Sequence, residues 1–325
     1  MQQARRTTKA IEISVVVPVY GCRACLEELQ RRLVAALSQI TSRFEIILVN
    51  DACPQNSWEV IKELASHEKR VKAIDLSRNF GQIRAISAGL EFAAGKWIVV
   101  MDCDLQDRPE EIVKLYDTAR KGYDVVFVRR RSRQEGLAKR LWSKAFYAIY
   151  HYATAGAFDS SISNFSISRQ LVMRNYARLG DQNRAFTLFI KWMGFKVITI
   201  DVDHAKRPSG DSSYTFRKKL KLASEILTTL SNKPLVLSIK IGLAVAAIAF
   251  MYGVYLVLQY LLYGLSLKGW TSTIVSIYFV GGLILAQLGI LGLYLGLVFD
   301  QTKNRPLYIV REVIENGISS ISEPQ

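Results

Sequence analysis

The sequence predicts an α/β protein: an open, doubly wound, mostly parallel sheet, followed by a hairpin of two apolar helices. Three observations carry this. Short β-branched runs alternate with helical spacing over the first 200 residues. Those runs are apolar almost throughout, as strands covered on both faces must be. Two stretches near the C terminus each exceed the roughly 20 apolar residues that cross a bilayer.

The predicted strands are ISVVVPVY (13–20), FEIILVN (44–50), VKAIDL (71–76), WIVVMD (97–102) and YDVVFV (123–128), with helical spacing over 23–40, 56–68, 82–94 and 109–121. Pro109 suits the first turn of its helix, with Glu110 and Glu111 near the positive end of the helix dipole. In such sheets ligands bind beyond the carboxyl ends of the strands. That rule selects four polar or glycine-bearing tips: Pro18 to Gly21, Asn50 to Pro54, Ser77 to Gly81, and Asp102 to Asp107.

Residues 137–155 mix Trp142, Phe146, Tyr147 and Tyr150 with Lys139, Arg140 and Lys144, so they form either a helix packed on the sheet or one lying at a lipid interface. The segment SSYTFRKKLKLASEILTTL (212–230) leads into the first apolar stretch, which favours the interface. From Leu235 to Gly264 the strongly polar residues are Lys240 and Gln259, and from Thr273 to Phe299 there is Gln287. Arg217, Lys218, Lys219, Lys221 and Lys233 precede these stretches; Lys303, Arg305 and Arg311 follow them. The connecting loop LSLKGWT carries one lysine. An excess of cations on the outer flanks places both ends in the cytoplasm. The expected division is therefore a cytoplasmic α/β domain (1–211), a juxtamembrane interfacial helix (212–234), transmembrane helices at 235–264 and 272–299, and a cytoplasmic tail (300–325).

No charged, short apolar leader precedes Ile11, so no cleaved signal peptide is expected. Cys22, Cys25, Cys53 and Cys103 suit a reduced compartment, and the Cys22–Cys25 CxxC spacing has no second pair to complete a zinc site. A formal net charge of +15 invites a nucleic-acid reading, but no recognition motif is present and membrane anchoring accounts for the basic flanks. Nucleic acid is not an expected partner. The small residues of GGLILAQLGILG (281–292) allow close helix packing and with it a homo-oligomer.

The stretch VVMDCDLQDRPEEI (99–112) ends an apolar run in Asp102, Asp104 and Asp107. Carboxylates this close repel one another unless a cation sits near them, so the cluster is a metal site or a solvated turn. A solvated helix start accounts for Asp107 and Glu110, and poorly for Asp102 and Asp104.

Taken in order, VVVPVY, VNDACPQNSW, LSRNFGQIRAISAGL, MDCDLQDRPEEI, the RPSGDSSY turn, SNKPLVL and the two terminal apolar helices resemble the polyprenyl-phosphate transferases of glycosyltransferase family 2. The resemblance implies a GT-A (Rossmann-like) catalytic fold, a nucleotide diphosphate sugar (uridine-linked) as donor, a polyprenyl phosphate as acceptor, and Mg²⁺ or Mn²⁺. It implies a multi-pass protein of the bacterial inner membrane, serving cell-wall or O-antigen biosynthesis. Asp104 would hold the ion against the diphosphate, with Asp102 near the ribose or the metal and Gln106 completing the metal's surroundings. Asp51 would contact the base in a pocket lined by Pro18, Val19 and Tyr20. Arg207, Gly210, Ser212 and Tyr214 match an R-x-x-G-x-S-x-Y turn that closes over the diphosphate. Arg207 and Arg131 would act on the reacting phosphates, Ser212 on the nucleotide sugar, and Arg129, Arg133 and Tyr214 on the acceptor phosphate. A planar guanidinium suits that task.

Three positions depart from the pattern. Gly21 and Cys22 stand where the family often has Asn-Glu, and Asn50 where it often has Asp. In SNFSISRQ (163–170), Asn164 occupies the place of an acid. A polyprenyl phosphate has a second pKa near 6 and needs no proton removed, whereas a hydroxyl acceptor would need a base. The substitution therefore tells against a hydroxyl-bearing lipid such as diacylglycerol. Such an acceptor, and a non-catalytic membrane scaffold, are the rival readings.

Overall fold

A computed structural model of the chain describes residues 10–130, 162–181, 186–202, 233–263 and 269–320. These fall into two compact units, one holding the described residues up to 202 together with 306–320, the other residues 233–263 and 269–305.

The first unit opens as expected. β1 (Ile13–Val19), β2 (Phe44–Asn50), β3 (Val71–Leu76), β4 (Trp97–Val100) and β5 (Val125–Arg130) alternate with α1 (Leu26–Ser38), α2 (Ser57–His67), α3 (Gln82–Glu91) and α4 (Glu111–Ala119); a single 3₁₀ turn, Arg23–Cys25, precedes α1. After β5 come β6 (Ile162–Arg169), α5 (Gln170–Arg178), α6 (Phe186–Trp192) and β7 (Val197–Val202), and near the C terminus β8 (Val310–Glu315) and β9 (Ile318–Ser320). The nine strands lie in the order β7-β5-β6-β4-β1-β2-β3-β8-β9.

The four strands β3, β2, β1 and β4 are parallel neighbours, so the loops after all four open on one edge of the sheet. Their side chains alternate between two cores. Val15, Val17, Ile46 and Leu48 meet Leu29 and Leu33 of α1, Ile61 of α2 and Ile112 of α4. Val16, Ile47, Val49 and Ile74 meet Ala85 and Ile86 of α3, Val172 and Tyr176 of α5, and Phe186 of α6. This is the doubly wound arrangement, helices on both faces of buried strands. At Gly89 of α3 a Cβ would stand 2.4 Å from Val16 Cγ1 and 3.0 Å from Val49 Cγ2, so only glycine lets the helix sit this close to the sheet.

Three strands lie where the apolar pattern gave no hint of them. β6 runs antiparallel between β4 and β5, so β5 is not bonded to β4. Its Ser163, Ser166 and Ser168 are buried, and a strand written with serine reads as a loop. β8 runs antiparallel beside β3, with β9 outside it, so residues expected to be a tail extend the sheet.

In the second unit, α7 (Lys233–Tyr263) and α8 (Trp270–Thr302) have 31 and 33 residues. Gln287 Nε2 of α8 donates to the Ser238 carbonyl of α7 at 2.7 Å. Leu235–Leu262 and Val275–Thr302 are each long and apolar enough to cross a membrane. Leu243, Phe250, Leu261, Tyr278, Leu285 and Leu295 are all more than half exposed, a surface suited to lipid rather than water.

Candidate active site

The β4 strand ends at Val100, and the Met101 N–H still donates to the Val16 carbonyl at 3.2 Å before the chain leaves the sheet. Asp102, Asp104 and Gln106 follow, all half-buried. Leu105 between them has φ of 60°, a left-handed backbone that is costly for a bulky residue and tends to occur at functional turns. Asp104 Oδ1 accepts the Gln106 N–H at 3.1 Å. Asp102 Oδ1 accepts from Gln82 Nε2 at 2.5 Å, so the first residue of α3 orients the first acid of the motif. Asp107, expected to be solvated, is 2% exposed, and Ser163 Oγ of β6 lies 3.5 Å from its Oδ2. Glu110 is exposed and pairs with Arg32 of α1 at 2.6 Å, its carboxyl held below the ordinary range by that hydrogen-bonded guanidinium.

The second strand delivers Asn50 and Asp51 together. Asp51 is buried and accepts the N–H groups of Phe80 at 2.7 Å and Gly81 at 2.9 Å. Burial raises its pKa, and those two N–H groups offset part of the rise. Gly81 has φ of +94°, which suits glycine, and it opens α3. Asn50 Nδ2 donates to Asp75 Oδ1 at 2.7 Å, and Asn50 Oδ1 accepts the Cys53 N–H at 3.3 Å. Arg311 of β8 completes the group, reaching Asp75 Oδ2 at 3.1 Å and the Ser77 carbonyl at 2.7 Å. Asn50, in place of the usual acid, is thus the residue that spares Asp75 a second carboxylate beside it.

After β1, Pro18 is buried and Val19 is wholly in the core, while Tyr20 is 52% exposed. The Gly21 N–H donates to Cys53 Sγ at 3.2 Å, and Ser57 Oγ donates to the same sulfur at 3.1 Å. Burial pushes this thiol up, but those bonds and the Gln55 and Ser57 N–H groups outweigh it, and its pKa lies below the usual thiol value. Contrary to the four free thiols expected from the sequence, Cys22 is disulfide-bonded to Cys103, the residue between Asp102 and Asp104. Cys25 and Cys53 are free.

The structure thus ties the four predicted tips to one another: β2 to β3 through Asp51, β3 to β4 through Gln82, β1 to β2 through Cys53, and β1 to β4 through the disulfide. Arg129 is exposed at the end of β5, and Asn164 is half-buried near the start of β6. Arg131, Arg133, Arg207, Gly210, Ser212 and Tyr214 lie outside the described residues. Gln82 and the Cys22–Cys103 pair were not singled out from the sequence. For Gln82 the available signal was an amide directly after Gly81 at a selected strand end.

Among the described residues no three His, Cys, Asp or Glu side chains are grouped closely enough to cage a metal. Two half-buried carboxylates do fit a hard divalent ion of the kind that takes one or two carboxylates and completes its shell with phosphate oxygens and water.

The family model for glycosyl transferase family 2 matches residues 14–196. Over 306 residues the chain is 34% identical to an uncharacterized glycosyltransferase, YkcC, of Bacillus subtilis, covering 94% of this chain and 95% of that one. It is 33% identical over 306 residues to undecaprenyl-phosphate 4-deoxy-4-formamido-L-arabinose transferase of Photorhabdus laumondii, covering 93% and 94%. It is 31% identical over 305 residues to a prophage bactoprenol glucosyl transferase homolog of Escherichia coli, covering 93% and 99%.

Proposed function

The chain belongs to glycosyltransferase family 2, and on that premise we propose that it transfers a sugar from a uridine diphosphate donor to a polyprenyl phosphate such as undecaprenyl phosphate. The reaction is a single displacement with inversion at the anomeric carbon, and the product serves cell-surface glycan or lipopolysaccharide modification. The observation that carries this reading is the extent of the match: 93% of this chain aligns with a transferase named for undecaprenyl phosphate. That alignment is too long to be confined to the sheet unit, so the lipid-suited helices belong to the resemblance as well.

The acceptor oxygen attacks the anomeric carbon as the bond to the nucleotide diphosphate breaks, and the electron pair of that bond leaves one further negative charge on the diphosphate. Asp104 and Asp102, with Gln106, would hold Mg²⁺ or Mn²⁺, which supplies charge neutralisation for that diphosphate when bound. Arg207 adds a cation on the same group, Ser212 binds the nucleotide sugar, and Tyr20 covers the base beside Asp51. Arg129, Arg131 and Arg133, with Tyr214, meet the acceptor phosphate. That phosphate is ionised near neutral pH, since its second pKa is near 6. Asn164 in place of an acid is therefore no obstacle to the chemistry. The apolar helices would hold the lipid at the membrane of a bacterial cell, with the sheet unit on the cytoplasmic side. Confining the acceptor there lowers the entropic cost of encounter.

The test is incubation of membranes carrying the protein with labelled nucleotide sugars and undecaprenyl phosphate. The expected product is an acid-labile glycolipid, because a sugar joined to phosphate at its anomeric carbon is cleaved by mild acid; an acid-stable product would assign a hydroxyl acceptor instead. Asp104→Ala should lower turnover by about 10²–10³ or more with the fold intact. Turnover at the parent rate in a folded Asp104→Ala protein would remove the metal assignment.

A further inference from the structure

Cys22 lies in the loop after β1 and Cys103 in the loop after β4. These strands are adjacent and parallel, paired up to Val16 opposite Val100. Across the two loops the cysteines come to a Cα–Cα distance of 6.2 Å and are bonded, although 81 residues separate them in the chain. That distance lies within the range a disulfide accepts without moving the backbone. Both side chains are 6% exposed. The bond therefore ties the residue between Asp102 and Asp104 to the neighbouring loop. In the same segment each acid has an oxygen engaged within the protein, Asp102 by Gln82 and Asp104 by the Gln106 N–H.

We propose that Cys22 and Cys103 form a reversible thiol-oxidation site that restrains the acid-bearing segment and weakens its grip on a divalent ion when oxidised. The co-reactant is a low-molecular-weight disulfide. One cysteine thiolate attacks it, forming a mixed disulfide and releasing one thiol; the other cysteine then displaces the second thiol and closes the Cys22–Cys103 bond. Two protein thiols are oxidised and one external disulfide is reduced to two thiols. An excess of dithiol reverses both steps. Disulfides in a reducing compartment are usually transient and redox-sensing, which matches a bond that packs against the core yet has Cys103 standing between two functional acids. In the oxidised state the segment cannot re-aim its carboxylates without straining a covalent link. In the reduced state it can.

This inference rests on the proposed function only for the identity of the ion, and its test does not need sugar transfer. Purified full-length protein in detergent is equilibrated with oxidised or with reduced glutathione, alkylated under denaturing conditions and mapped by mass spectrometry. Expected are a Cys22–Cys103 linked peptide with Cys25 and Cys53 alkylated after oxidation, and four alkylated cysteines after reduction. Mn²⁺ binding in the presence of uridine diphosphate, followed by electron paramagnetic resonance, should weaken roughly tenfold on oxidation, the scale of an ordinary coupling between two sites. Cys22→Ser should bind Mn²⁺ alike in both buffers, and Cys25→Ser should respond as the parent does. Absence of the linked peptide, or equal Mn²⁺ affinity in the two states, overturns the proposal. If the redox response appears but the reduced protein makes no glycolipid, the proposed function fails and this site stands.

Discussion

The side-chain amide of Asn50 joins three elements, because its Nδ2 reaches Asp75 of β3 and its Oδ1 takes the Cys53 N–H that leads into α2. Asp75 is 2% exposed, and burial raises its pKa, with Asn50 and Arg311 offsetting part of the rise. Asn50→Asp would set two carboxylates together, and one of them would hold its proton to a higher pH in the folded chain than in the unfolded one. That loss of stability is present above the raised pKa and fades as pH falls through it. The expected cost at neutral pH is about 1–3 kcal/mol, shrinking in mildly acidic buffer; urea unfolding at the two pH values measures it, and equal losses would count against the pairing. Gln82 donates to Asp102, one of the acids proposed to hold the ion. Gln82→Leu should leave the fold intact and lower Mn²⁺ affinity by about 10–100-fold, as loss of a group orienting a metal ligand usually does. Isothermal titration with Mn²⁺ and uridine diphosphate checks it.

At the scale of elements, β1 to β4 and Asp102 with Asp104 were legible in the sequence because strands buried on both faces must be apolar throughout, and charge at their ends then stands out. β6 was not, since its buried serines satisfy packing without hydrophobicity, and neither was β8, whose Arg311, Glu312 and Glu315 give it the polarity of an outer strand. The Cys22–Cys103 bond depends on β1 lying beside β4, which no local spacing reveals. Adding β8 changes what β3 is: without it, β3 would be an apolar strand with an unpaired edge, the kind that pairs with other chains. A chain ending before residue 306 should therefore lose stability and aggregate. Size-exclusion chromatography in detergent would detect this, and a truncated chain as monodisperse as the parent would show β8 to be dispensable. Val313→Pro, which removes a backbone donor facing β3 or β9 within the strand, should cost about 1–3 kcal/mol in urea unfolding, the scale of a buried backbone partner left unpaired.

For the molecule as a whole, the order of elements along the chain constrains any bilayer it meets. β8 follows α7 and α8 in sequence yet shares a sheet with β1 to β7, which precede them. Segments of one sheet lie on one side of a membrane, so the two helices can cross it together or not at all. The cytoplasmic side proposed above for both ends of the chain then gives a labelling prediction. A single cysteine placed at Lys268 in a chain with its native cysteines replaced should react with an impermeant maleimide added to intact cells. One placed at Asn304 should react only after the membrane is opened; labelling of both from outside would refute the hairpin. The same order of elements bears on synthesis. A ribosome making this protein must complete two greasy helices before it releases the strand that seals the edge of β3, so the enzyme unit finishes last even though nearly all of it is made first. If the helices insert as proposed, they would enter lipid before the sheet is complete, and a chain halted at that point would carry an unfinished sheet open to proteolysis.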